Sequence, residues 1–288
     1  MSPSRVALRP VLLEGRKTLT GAGISSPEFD ADELMASVLG IRRGMLFLTD
    51  DVTQVQADAF LNLVARRARR EPLQHITGRA GFRGLELKVG KGVFIPRFET
   101  ELVAGAAIDA CNDLDVPLVV DLCAGSGAIA LSVAQEVPMA TVVAVERDHA
   151  AIYWLLQNAA HRAALDDPPI DVVQGDIAGC LPHLDGTVDV VVSNPPYVPT
   201  AVRDDLDPEV TVHDPDQAVF AGVEGLDVIR VVLTAATRLL KPGGLLVMEH
   251  DDSHGQTVPQ LLANAGWTTI SLHHDLNHRP RFTTAHRP

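Results

Sequence analysis

Between Val116 and Glu249, short apolar runs rich in β-branched residues alternate with stretches of helical periodicity, an order that few folds accept. The runs are Leu118–Leu122, Thr141–Glu146, Asp171–Gln174, Val188–Ser193 and 244–249. The helical stretches include Ala128–Glu136, 149–161 and 226–240, the last closed by Lys241-Pro242-Gly243-Gly244. A short run without polar interruption is what a strand buried on both faces requires, and strands separated by single helices pair in parallel. The expected architecture is therefore α/β, a doubly wound sheet. Beyond it, 257–265 reads as a helix, and 267–272 with 281–284 as a closing antiparallel pair. The acidic, proline-punctuated stretch 204–216 reads as a loop over the carboxyl edge of the sheet.

The region before the sheet has another texture. Residues up to about Glu71 read as helices: Pro27-Glu28-Phe29-Asp30 opens one that Gly40 stops, and 52–70 is another that Pro72 ends. Arg66-Arg67-Ala68-Arg69-Arg70 closes that second helix, where cations suit the C-terminal dipole; the expectation is a solvated end. The connector that follows carries glycines at 78, 81, 84, 90 and 92, and 85–89 alternates as a hairpin strand does. A helix is expected over 100–110. The resulting division is a small N-terminal helical domain (1–72), a β-hairpin connector (73–98) and the sheet domain (99–288).

The 288 residues carry a formal charge of −13, with a pI near 5.2 and a mean hydropathy of +0.12. That balance argues against a protein that coats nucleic acid through its phosphates. No stretch has the length and purity of a membrane span, and the N-terminus does not read as a signal peptide. Cys111, Cys123 and Cys180 are scattered without a CxxC pair, which points to reduced thiols in the cytoplasm rather than a disulfide frame or zinc site.

Two stretches carry chemistry. Val188–Ser193 runs into Asn194-Pro195-Pro196-Tyr197, where neither proline can donate to a ladder, so the strand stops. The turn offers carbonyls, the Asn194 side-chain oxygen and the flat face of Tyr197: acceptors plus a stacking plane for a planar –NH2 group. The other stretch is Asp121-Leu122-Cys123-Ala124-Gly125-Ser126-Gly127, at the crevice where open α/β sheets bind ligands. Its glycines also fit a dinucleotide loop, but Asp121 would repel a pyrophosphate and attract a sulfonium or ammonium. Glu146, at the tip of the next strand, is placed for ribose hydroxyls. Asp176 is placed for an adenine amino group, with Ile177 packing on the ring. Three carboxylates at successive strand tips point to S-adenosylmethionine rather than NAD.

With these residues in view, the chain resembles the release-factor glutamine N5-methyltransferases along nearly its whole length. Glu71-Pro72-Leu73-Gln74-His75-Ile76-Thr77-Gly78 resembles that family's E-P-x-x-H-x-x-G connector, and Ile95-Pro96-Arg97-Phe98-Glu99-Thr100-Glu101 its I-P-R-P-[DE]-T-E segment. The stretches 121–130 and 193–197 resemble its cofactor loop and N-P-P-Y signature. Phe98 stands where proline is usual, Cys123 where glycine is common, and Ile177 where some members have an aromatic residue.

The resemblance implies a Rossmann-like S-adenosylmethionine-dependent methyltransferase whose N-terminal helices recognise a peptide chain release factor. The methyl acceptor would be N5 of the glutamine in the release factor's Gly-Gly-Gln motif. Cofactor contacts would come from Asp121, Cys123, Ala124, Gly125, Ser126, Gly127, Glu146, Asp176, Ile177 and Asn194. Asn194, Pro195, Pro196 and Tyr197 would hold the substrate, with Asn194, Pro195 and Tyr197 catalytic. Neither a metal, a membrane nor a stable nucleic-acid complex is expected. The histidines of His250-Asp251-Asp252-Ser253-His254 and His273-His274-Asp275 are read as ordinary surface residues. The alternative enzyme is an adenine N6 or guanine N2 amino-methyltransferase, whose amine fits the same turn. A cofactor-sensing scaffold without turnover is the non-enzymatic alternative, and a dehydrogenase fits Asp121 poorly.

Overall fold

A computed structural model describes residues 4–288. The chain divides into two compact units, Met1–Arg79 with Asp207–His213, and Ala80–Leu206 with Asp214–Pro288.

The first unit is mainly helical: α1 (Leu8–Gly21), α2 (Pro27–Leu39), α3 (Gln54–Ala68) and the short α4 (Leu73–Thr77). Leu19, Leu34, Met35 and Phe60 form its fully buried centre. Two readings are corrected here. The unit is not wholly helical, because β1 (Arg5–Ala7) pairs antiparallel with β2 (Asp51–Thr53). That strand takes Val52 out of the expected helix, which starts instead at Gln54 behind a capping box made by Thr53 and Gln56. The arginine-rich end is also not solvated throughout. Arg67 is buried, with its Nε 2.6 Å from Asp30 and its Nη1 2.9 Å from Glu209, while Arg66 pairs with Glu71. Glu209 also takes Arg70, so the segment 207–213 belongs to this unit through two arginines.

The second unit begins with the hairpin of β3 (Arg79–Phe82) and β4 (Leu85–Lys88), turning through Arg83-Gly84. Arg83 anchors it, bonding the Glu101 carbonyl and the Glu136 carboxylate. After α5 (Thr100–Asp109) the elements follow the expected alternation: β5 (Leu118–Leu122), α6 (Ala128–Glu136), β6 (Thr141–Glu146), α7 (His149–Ala163), β7 (Asp171–Gln174) and β8 (Val188–Ser193). The stretch 204–216 is not the continuous loop expected. It contains α8 (Pro208–His213), follows a 3₁₀ turn over Thr200–Asp205 and leads into α9 (Asp216–Val219). Then come α10 (Asp227–Leu239), β9 (Leu240–Glu249), α11 (Thr257–Asn264), β10 (Thr268–His274) and β11 (Pro280–His286). β9 starts four residues earlier than expected, because Leu240 already pairs with Val188; the ladder then breaks register before Val190 pairs with Leu245, and Gly243 in between sits at φ +77°.

The sheet order is β10-β11-β9-β8-β5-β6-β7, parallel except for β11, which is antiparallel to both of its neighbours. Val119, Val142, Ala144, Val190 and Val247 face α5 and α6, while Val120, Val143, Val191, Leu246 and Met248 face α10 and α11. Burial on both faces is why these strands read as unbroken apolar runs. Among the described residues no helix is long and apolar enough to cross a membrane.

Candidate active site

The strand order reverses at β5, whose neighbours are β6 and β8, and the two motifs leave the sheet there side by side. Ser193 lies opposite Leu122 on one side and Met248 on the other, so Asn194 departs between Cys123 and Glu249. The buried Ser193 hydroxyl donates to the Leu122 carbonyl at 2.6 Å and pins the two strand ends together.

Beyond the strand, the turn is held by a chain of side-chain hydrogen bonds. Asn194 Nδ2 donates to Thr100 Oγ1 at 3.1 Å. Thr100 Oγ1 donates to Glu249 Oε2 at 2.7 Å, and the Tyr197 hydroxyl donates to Glu249 Oε1 at 2.9 Å. Glu249 is 1% exposed, and burial pushes its carboxyl up to about 7, opposed by the two hydroxyl donors and the nearby Arg281. Burial likewise raises the Tyr197 phenol well above its ordinary range. The backbone after Tyr197 is fixed by Val198 N–H to the Val219 carbonyl and Ala221 N–H to the Val198 carbonyl. Gly225, at φ +72°, passes so close that an added Cβ would lie 2.1 Å from the Tyr197 carbonyl oxygen.

The glycine loop is fixed as firmly. Cys123 takes a left-handed φ of +65°, an unusual conformation for a residue with a Cβ, at the point where the chain leaves the sheet. Gly125 N–H donates to Glu146 Oε2 at 2.9 Å, and Asn158 Nδ2 donates to the Ser126 carbonyl at 2.9 Å. Gly127 opens α6 at φ +86°, where a Cβ would meet Leu155 Cδ1 at 2.5 Å. Asp121 is 1% exposed; its Oδ2 accepts from Ala130 N–H at 3.1 Å, while its Oδ1 is buried without a partner. Burial pushes that carboxyl up to about 8, with the negative Glu146 adding to the shift. A buried acidic oxygen lacking a donor is matched by a cationic ligand, and Gly125 has open space where a Cβ would project. The residues fit an ammonium- or sulfonium-bearing cofactor.

Glu146 already accepts from Gly125, Arg147 and Asp148 N–H groups, which leaves about one of a carboxylate's four acceptor positions open. Asp176 is exposed, caps Ala178 N–H and lies 3.6 Å from Arg147. It adjoins Glu146 through Gly175, whose N–H donates to the Glu146 carbonyl, and Ile177 is buried beside it. Pro195 is buried, Pro196 half-buried, and Phe98 is 81% exposed. Thr100, Glu249 and Asn158 were missed in the sequence. A lone carboxylate ending the apolar run of β9 was the available signal for Glu249.

The histidines of the 250–254 stretch are buried, which corrects their reading as surface residues. His250 faces Thr283 Oγ1 and the Asp251 carbonyl, and His254 faces the Glu224 carbonyl. Among the described residues, no group of three or more His, Cys, Asp or Glu side chains could hold a metal ion.

Residues 11–78 match the PrmC N-terminal domain and 110–209 the methyltransferase small domain. A Streptomyces coelicolor protein named release factor glutamine methyltransferase is 49% identical over 278 residues, covering 95% of this chain and 96% of its own. This chain belongs to the release factor glutamine methyltransferase family. A Mycolicibacterium smegmatis protein of the same name is 44% identical, covering 97% and 98% of the two chains. The fold of the second unit is that of S-adenosylmethionine-dependent methyltransferases. The T. thermophilus 16S rRNA N2 G1207 methyltransferase in complex with AdoMet and guanosine superposes with a TM-score of 0.53 at 20% identity, over 73% of this chain and 50% of its own.

Proposed function

We propose that this protein methylates the side-chain amide nitrogen (N5) of the Gly-Gly-Gln glutamine in peptide chain release factors, using S-adenosylmethionine. The observation that carries the reading is the orientation of Asn194. Its Nδ2 is committed to Thr100, so its Oδ1 is turned away from Thr100 and is available to accept from a substrate amide.

Asp121 would hold the cationic end of the cofactor, the loop of Cys123, Ala124, Gly125, Ser126 and Gly127 its body, and Glu146, Asp176 and Ile177 its nucleoside. Bound there, S-adenosylmethionine supplies a methyl group already activated by a positive sulfur. The protein's task is then alignment, because an amide nitrogen is a poor nucleophile whose lone pair is delocalised into its carbonyl. Asn194 Oδ1 and the Pro195 carbonyl each accept one N–H of the substrate amide, which fixes the amide plane and points the nitrogen lone pair, perpendicular to that plane, at the methyl group. The same two acceptors support positive charge as it grows on that nitrogen. The Tyr197 ring and Pro196 bound the seat of the amide plane. No strong base is required beforehand, since the alkylated nitrogen is acidic and sheds its proton.

The test presents the purified protein and methyl-labelled S-adenosylmethionine with a bacterial release factor, total RNA and DNA. Label on the release factor is expected, with Asn194→Ala losing turnover while largely sparing cofactor affinity, since the other cofactor contacts remain. Label on nucleic acid instead would establish the amino-methyltransferase alternative.

A further inference from the structure

Glu249 sits 149 residues along the chain from Thr100, yet its Oε2 accepts from the Thr100 hydroxyl and its Oε1 from the Tyr197 hydroxyl of the substrate turn. With Glu249 ionised, as it is above about pH 7, the proton bookkeeping of this cluster has one solution. Asn194 Nδ2 carries only hydrogens to give, and a carboxylate oxygen can only accept. The Thr100 hydroxyl has one hydrogen, so that hydrogen points at Glu249 Oε2 and its lone pair faces Asn194. An Asn194 amide turned the other way would set Oδ1 against an oxygen with no hydrogen left to offer, an acceptor–acceptor contact. The amide orientation, which distances alone leave ambiguous, is therefore dictated by the carboxylate behind the threonine.

We propose that Glu249 is a positioning residue for methyl transfer: through Thr100 it keeps the Asn194 oxygen turned toward the substrate amide, and through the Tyr197 hydroxyl it holds the aromatic wall of the same seat. The proposal rests on Asn194 being the acceptor for that amide. Glu249 touches neither substrate nor cofactor in this role. It fixes the direction of a hydrogen-bond chain that ends on the residue that does.

A glutamine at 249 has nearly the same shape but only one accepting oxygen. It satisfies one hydroxyl and turns an N–H toward the other, which frees a hydroxyl hydrogen and permits the Asn194 amide to rotate. Thr100→Val removes the link itself, and Thr100→Ser restores it. If the account holds, Glu249→Gln and Thr100→Val each lower kcat about 10- to 100-fold, the scale on which misalignment of a reacting group acts. Cofactor Kd in both stays within about threefold of wild type, because the glycine loop and Asp121 are not part of the chain. Thr100→Ser recovers kcat to within about threefold of wild type, and the double variant Glu249→Gln/Thr100→Val falls no further than the worse single.

The experiment measures kcat and KM for a release factor, with cofactor Kd by calorimetry, for these four variants and the wild type. A Glu249→Gln enzyme with wild-type kcat overturns the proposal. So do single effects that multiply in the double variant, or a loss of cofactor affinity parallel to kcat, since those mark a structural carboxylate. A wild-type protein that labels no release factor would refute the glutamine reading and this proposal together. A competent wild type with an indifferent Glu249→Gln would refute only the latter.

Discussion

Asp121 offers the sharpest physical test of the cofactor site. Its carboxyl is fully buried, holds one N–H on Oδ2 and none on Oδ1, and is pushed up to about 8. At neutral pH and without a ligand, most of this group is protonated. A cation placed against Oδ1 favours the carboxylate and must expel that proton, so affinity should rise with pH until the carboxyl ionises unaided. With a free value of about 8 and a carboxyl held ionised by the bound cation, the apparent Kd scales as 1 + 10^(8−pH). That factor is about 100 at pH 6 and about 2 at pH 8, so binding tightens roughly 50-fold between them. Asp121→Asn keeps the shape and loses the titration. It should bind S-adenosylmethionine about as weakly as wild type at pH 6, and fall behind progressively as pH rises. Calorimetry across this range, in two buffers of different ionisation enthalpy, reads both affinity and proton release. The ligand's own amino group contributes equally to both proteins, so their difference is what counts. Equal pH slopes, or no excess proton release by wild type, would refute the assignment of Asp121 to the cation.

Other residues give independent checks. Arg67→Ala leaves Asp30, 6% exposed, without its buried partner. It should destabilise the N-terminal unit by about 3 kcal/mol in chemical denaturation, the scale expected when one member of a buried pair is removed. Gly225→Ala forces a Cβ against the Tyr197 carbonyl at a positive φ, and should cost about 2 kcal/mol in thermal unfolding and lower kcat as well. Glu249 binds its proton more tightly folded, at about 7, than at its ordinary 4.5. It therefore subtracts stability progressively as pH rises through that window, fully above about 7. The Tm of Glu249→Gln relative to wild type should climb over the same interval; a constant difference would show that the carboxyl is not displaced.

What the sequence disclosed follows from how locally each feature is encoded. The central strands Leu118–Leu122, Thr141–Glu146 and Val188–Ser193 fall where their apolar runs lie, because burial on both faces demands mostly apolar residues, whereas the edge strand Asp171–Gln174, with no buried residue, was legible only from its two valines. The pairing of β1 with β2 was invisible, since three residues holding a single large apolar side chain carry no period. Arg67 looked like a solvated cation because its partners, Asp30 and Glu209, are 37 and 142 residues away. The same distance effect hid Thr100 and Glu249, whereas Asn194 and Tyr197 announced themselves through the two prolines between them. Glu146 and Asp121 were legible as acids at strand tips. That Glu146 spends most of its acceptor capacity on backbone N–H groups, and Asp121 only about a quarter of its own, is a property of the folded loop alone.

The central claim concerns the atom that receives the methyl group. The direct measurement is mass spectrometry of a bacterial release factor after incubation with the protein and S-adenosylmethionine, using a substrate with the Gly-Gly-Gln glutamine intact and one with it changed to alanine. The account predicts a single methyl group on the glutamine side-chain amide of the intact protein and none on the variant. Equal methylation of both, or methylation at another residue, would contradict it.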